Sequence, residues 1–157
     1  MSLLADGFEV VEGLLPAALL DRLRAEAARL VAGEPPERRT AHRSLGSLID
    51  VARSPLFAEL VALPAALARF SAWGYPRPRF TGGYVFDKPA GSGPTFWHQD
   101  WYFWDDPVSL SPRPAQVGLL FYLRDTSVEN GLETIVWRRG AHSGRIRDSR
   151  NRNPRAP

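Results

Sequence analysis

His98 and Asp100 stand two residues apart within Phe96-Trp97-His98-Gln99-Asp100-Trp101-Tyr102-Phe103-Trp104. On a β-strand, side chains alternate between faces, so the imidazole and the carboxylate point one way and Gln99 the other. A nitrogen and an oxygen donor converging from one strand make half of a metal site. With a second, distant histidine they complete the two-histidine, one-carboxylate triad that leaves three positions open on a non-haem Fe(II) ion. The structural alternative has each side chain bonded to a backbone group. In that case a buried, ionised Asp100 still needs a cation, a metal or several donors, because burying it unpartnered costs several kcal/mol.

Three neighbouring features favour the metal. Trp97, Trp101, Phe103 and Trp104 form an aromatic wall suited to keeping water from a reactive centre. The stretch Lys88-Pro89-Ala90-Gly91-Ser92-Gly93 is a glycine-rich loop leading into the pair. Lys88 is also the chain's single lysine, against nineteen arginines, and its position suits a point charge for a carboxylate. The chain has no cysteine, which excludes disulfides, thiolate metal sites and cysteine nucleophiles. It has three histidines, so a third ligand could come only from His42 or His142. His42 reads most simply as a surface histidine.

The elements that must position these groups fall into two halves. Asp6-Gly7-Phe8-Glu9-Val10-Val11 reads as a turn followed by a short strand. Leu15-Pro16 then starts a helix, with Leu19, Leu20, Leu23, Ala27 and Leu30 at helical spacing, ended by Gly33-Glu34-Pro35-Pro36. Glu37 to Ser47 is polar and reads as an exposed loop. Ser54-Pro55 caps a second helix carrying Phe57, Leu60, Val61, Leu67 and Phe70, which Pro64 kinks or splits. From Arg77 the character changes. Phe80, Tyr84-Val85-Phe86, Phe96-Trp97 and residues 117–123 are strand-like runs separated by turn clusters. Helices first and strands after give an α+β chain, its β part a jelly roll or barrel with the helices on one outer face.

At 157 residues the chain suits one domain with a real core, and its 44% apolar content excludes general disorder. The net charge of +3 is unevenly spread. Residues 138–157 hold seven arginines and one aspartate, so this tail carries +6 and the preceding 137 residues −3. Nucleic-acid binding needs a basic face on the folded part, so no nucleic-acid partner is expected, and the tail reads as a solvated, disordered appendage. The N-terminus lacks a secretory pattern, and no run of about 18 apolar residues occurs. The expectation is a soluble, cytoplasmic protein without a membrane partner. Its oligomeric state is left open.

The order Asp6-Gly7-Phe8, Tyr84-x-x-x-Lys88-Pro89, Trp97-His98-Gln99-Asp100, Leu123-x-Asp125 and Glu129-Asn130-Gly131 resembles the phytanoyl-CoA dioxygenase family. These are Fe(II)- and 2-oxoglutarate-dependent oxygenases, the ectoine hydroxylases among them. The resemblance implies a double-stranded β-helix (jelly-roll) core. It also implies His98 and Asp100 as iron ligands, and Tyr84, Lys88 and Gln99 close to the 2-oxoglutarate pocket. The reaction it implies couples oxidation of 2-oxoglutarate to succinate and CO2 with hydroxylation of a small organic substrate. The carboxylate at position 100 favours hydroxylation over halogenation, for which related enzymes replace it by a small residue.

After Asn130-Gly131 the chain departs from the family pattern. It runs Leu132-Glu133-Thr134-Ile135-Val136-Trp137-Arg138-Arg139-Gly140-Ala141-His142, where the family has Pro-Gly-Ser-His, and His142 matches that turn best. No counterpart of the distal iron-binding histidine or of the 2-oxoglutarate-binding arginine stands out. About four or five strand-like runs, against about eight in a jelly roll, make the expected core incomplete. The expected organisation is therefore a partial family domain over residues 1–137 and an arginine-rich tail over 138–157, from truncation or a frameshift. Two functions follow side by side: a dioxygenase, or a non-catalytic remnant or binding module of the same fold.

Overall fold

The computed structural model describes residues 3–41, 46–89, 95, 100, 101, 103 and 105–125. The chain divides into two compact units, residues 1–10 with 135–157, and residues 11–134. In the first, one helical turn, α1 (Leu3–Asp6), is closed by Gly7 at φ 85°, whose amide donates to the Leu3 carbonyl at 2.9 Å. A left-handed glycine just past a helix is a common stop, because it carries no Cβ penalty. This corrects the strand expected over Glu9–Val11. Residues 8–11 carry no regular structure and Val10 is exposed.

The second unit is built on α2 (Ala17–Ala32), about 24 Å long at 1.5 Å per residue. Pro16 precedes its first turn with φ −59°, and the run 17–32 contains no glycine or proline to interrupt it. Leu19, Leu23 and Leu30 fall on one face and are buried, each contributing roughly 2 kcal/mol by its removal from water. The helix stops at Gly33 in ordinary right-handed geometry, so the following Pro35 and Pro36 do the terminating, as the sequence suggests.

Pro36 also opens a new helix, α3 (Pro36–Ala41), since proline suits a first helical position. Residues 47–50 form strand β1 (Ser47–Asp50), with Ser47 buried. Within the described part of the segment expected to be an exposed loop, residues 37–41 are helical and Ser47 starts a strand. Pairing with a partner distant in the chain decides the strand, and local polarity does not report it.

A 3-10 turn, Val51–Arg53, leads to α4 (Leu56–Val61) and α5 (Pro64–Ala72). Pro64 splits the helical run as one of the two readings has it: Leu63 before it is extended (φ −58°, ψ 118°), because proline disfavours helical geometry in the preceding residue. Pro55 is the N-cap residue of α4, and Ser54 Oγ accepts from the Leu56 amide at 3.3 Å. Phe57 is buried as expected, but Leu63 and Ala66 fill the core where Leu67 was expected, and Leu67 is exposed.

Strand β2 (Tyr84–Asp87) pairs antiparallel with β1, Ser47 opposite Asp87 and Asp50 opposite Tyr84. Ile49 and Val85 face the helices and join Leu19, Leu23, Leu30, Phe57, Leu63 and Ala66 in one core. On the other face Tyr84 and Phe86 are exposed. Gly46 begins the pairing at φ 68°, where any Cβ would overlap the Asp87 carbonyl oxygen. Phe80, expected in a strand, is exposed and outside one. Residues 117–123 form no ladder, yet Leu119, Phe121 and Leu123 pack on the core while Leu120 and Tyr122 are exposed. The two-residue rhythm of a strand is there without its assigned partners. Among the described residues the architecture is helices on one face of a small antiparallel sheet, an α+β arrangement.

Candidate functional site

The sequence-predicted residues fall on β2 and on the segments after it. Tyr84 opens β2 on the exposed face, directly across from Asp50. Lys88 follows the strand's last residue and is half-buried; its Nζ donates to Thr95 Oγ1 at 3.4 Å, a long bond across the glycine-rich loop. Asp100 is exposed. His98 and Gln99 lie outside the described residues, as do His42, His142, Trp97 and Trp104. The structure therefore places Tyr84 at the start of β2 and Lys88 just past its other end, on either side of the four-residue ladder. Among the described residues no three His, Asp or Glu side chains gather as a metal site, and all three histidines lie outside that set. An exposed carboxylate with an imidazole two positions before it fits the donor chemistry of Fe(II).

The described part of the aromatic wall is held by its own turn. Trp101 Nε1 donates to Ser109 Oγ at 2.8 Å and to the Phe103 carbonyl at 3.1 Å, and Ser109 Oγ donates to that same carbonyl at 2.6 Å. Phe103 meets the Trp101 ring edge-on at 5.3 Å. The 3-10 turn Pro107–Leu110, capped by Asp106 accepting from the Val108 amide at 2.8 Å, places Ser109 there. Phe103 itself is exposed, so this part of the wall borders solvent.

Sequence reasoning missed a cavity of about 350 Å³ beside Tyr84. Leu48, Ile49 and Asp50 of β1 line it together with Glu34, Arg38, Arg53 and Tyr84. Glu34 is buried at 5% exposure and accepts from the Arg53 guanidinium, so this charge is neutralised inside the wall. Asp50 accepts from the Ala52 amide at 2.8 Å and caps the turn that presents Arg53. The missed signal was the pairing of 47–50 with 84–87, which turns four dispersed charges into one wall.

One ion pair links α2 to α4, and a second lies within α2. Arg22 of α2 makes a two-pronged bond to Glu59 of α4 at 2.6 and 2.8 Å, and that guanidinium holds the Glu59 carboxyl below its usual range. Glu26 accepts from Arg29 at 2.6 and 2.8 Å. The Arg29 bonds first, and a hydrogen bond from Ser54 second, bring Glu26 down to about 2. Past α5, Tyr75 donates to the Pro114 carbonyl at 2.8 Å, and Arg113 donates to the Gly74 carbonyl at 2.9 Å while lying 5.7 Å over the Tyr75 ring.

Among the described residues, helices backing a small antiparallel sheet whose open face carries Tyr84 and Phe86 define an α+β protein. The phytanoyl-CoA dioxygenase (PhyH) family model matches residues 3–136, and the chain belongs to that family. No curated protein and no solved structure matches it. Among the described residues no helix is long and apolar enough to cross a membrane.

Proposed function

We propose that the protein is an Fe(II)- and 2-oxoglutarate-dependent dioxygenase that hydroxylates a small organic substrate. The family match over residues 3–136 carries this reading, because that span includes Tyr84, Lys88 and the whole 97–100 segment. In this reading His98 and Asp100 hold the iron, and Tyr84, Lys88 and Gln99 border the 2-oxoglutarate pocket. Residues 1–137 are the catalytic domain, with 138–157 an arginine-rich appendage, and β1 and β2 belong to a double-stranded β-helix. The helix-covered face and the aromatic open face of the sheet support that fold.

Bound iron and 2-oxoglutarate would serve to activate dioxygen, the oxidant, for C–H hydroxylation, with 2-oxoglutarate oxidised to succinate and CO2. The chain's own part is positional. Lys88, a point charge on a flexible stem, offers an ammonium to a carboxylate of the co-substrate. Tyr84 offers a hydroxyl beside it, and the ring pair Trp101–Phe103 lines the approach from one side. Mixing anaerobic protein with Fe(II) and 2-oxoglutarate should give a metal-to-ligand absorption band, and admitting oxygen should release succinate. Asp100→Ala should lower succinate release by more than about 100-fold, a loss expected for a metal ligand. Neither band nor succinate at any protein concentration overturns the reading.

A further inference from the structure

We infer that the cavity beside α3 and the paired strands binds a small zwitterion of the amino-acid type, with Arg38 taking its carboxylate and Asp50 its ammonium group. That this ligand is the substrate rests on the dioxygenase reading. That it binds there does not.

The argument is a charge count within one wall. Four ionised groups line the cavity, two guanidiniums and two carboxylates. Glu34 and Arg53 are bonded to each other, and the buried Glu34 is thereby committed. The Arg38 side chain has no bond partner among the described residues and is exposed at the rim. Asp50 is exposed, lines the cavity and accepts from the Ala52 amide through one oxygen. What remains is one cation, Arg38 on α3, and one anion, Asp50 at the end of β1, lining the same cavity as Leu48.

A dianion would gain Arg38 but face Asp50, and a simple amine would gain Asp50 but face Arg38. A zwitterion satisfies both, and the Tyr84 ring, exposed across from Asp50, offers its face to the apolar part or the ammonium. The volume, about 350 Å³, falls in the range of small-molecule sites, roughly 300–1,000 Å³. Tyr84 belongs both to this wall and to the residues that border the proposed co-substrate pocket, so a ligand here lies beside that pocket.

Calorimetric titration of the full chain without iron, 2-oxoglutarate or oxygen tests the inference separately from turnover. The probes are the neutral L-amino acids, each compared with its decarboxylated amine and its deaminated acid. At least one amino acid should bind with one-to-one stoichiometry, at least about tenfold more tightly than its amine, as loss of one charge-assisted bond implies. Arg38→Gln should erase that preference, and Arg38→Lys should keep part of it. Asp50→Asn, which can still cap the turn, should erase the preference for the amino acid over its deaminated acid. Two results overturn the inference: no amino acid binding better than its amine, or the preference surviving in Arg38→Gln protein. A third also does, namely 2-oxoglutarate binding more tightly than every amino acid and losing that affinity with Arg38→Gln, which would give Arg38 to the co-substrate.

Discussion

Ser47 is 1% exposed, and its hydroxyl has no hydrogen-bond partner among the described residues. A buried hydroxyl left unmade costs about 1–3 kcal/mol against a paired one, whereas alanine at the same place removes only the polar atom. Ser47→Ala should therefore leave the melting temperature unchanged or raise it, by up to about 1 kcal/mol of stability. Glu26 is the opposite case, a carboxylate whose partners hold it at about 2 against an ordinary 4.5. Its depressed folded value means that its contribution is fully present above pH 4.5 and is lost as the pH falls from 4.5 toward 2. Melting temperature followed down that range should drop in the native protein. The drop should be smaller in Glu26→Gln, which has no proton to take up. The identity of such residues is plain in the sequence. Their partners are not: Glu26 finds Arg29 three residues along its own helix, a local pair, but finds Ser54 only because α2 lies against the turn before α4.

At the scale of elements, Gly46 sets the start of the β1–β2 ladder. Its φ of 68° and the Asp87 carbonyl oxygen in the space of any Cβ leave no room for another residue. Gly46→Ala should cost about 3 kcal/mol, read as a fall in chemical-denaturation midpoint, because left-handed strain and a backbone clash act together. The helices were the most legible elements. Leucines at helical spacing and the prolines at 16, 35 and 64 place α2 and the break between α4 and α5 within a residue or two. The strands were legible by composition and illegible by pairing. Tyr84-Val85-Phe86 was recognisable, while Ser47-Leu48-Ile49-Asp50, equally a strand, begins at the end of the segment read as a polar loop, and its pairing with Tyr84–Asp87 makes it one. Asp6-Gly7 misled in the other direction, since the same dipeptide that turns a chain into a strand can close a helical turn.

Across the unit of residues 11–134, one core ties α2, α4 and α5 to the inner face of the sheet, and the outer face carries Tyr84 and Phe86 exposed. That division leaves one side of the sheet covered by helices and the other open. The amino-acid sequence by itself determined the family, the His98-x-Asp100 pair as residue types, the single lysine at 88 and the course of the helices, because each depends on residue identity or on spacing within a few turns. Only the tertiary structure decided which face of the strands is open, that Asp50 stands across from Tyr84, and that Arg53 neutralises Glu34 while Arg38 is left facing a cavity. The reason is register. Antiparallel pairing of two four-residue strands from distant parts of the chain fixes which side chains share a face, and a shift of one residue would exchange every one of them.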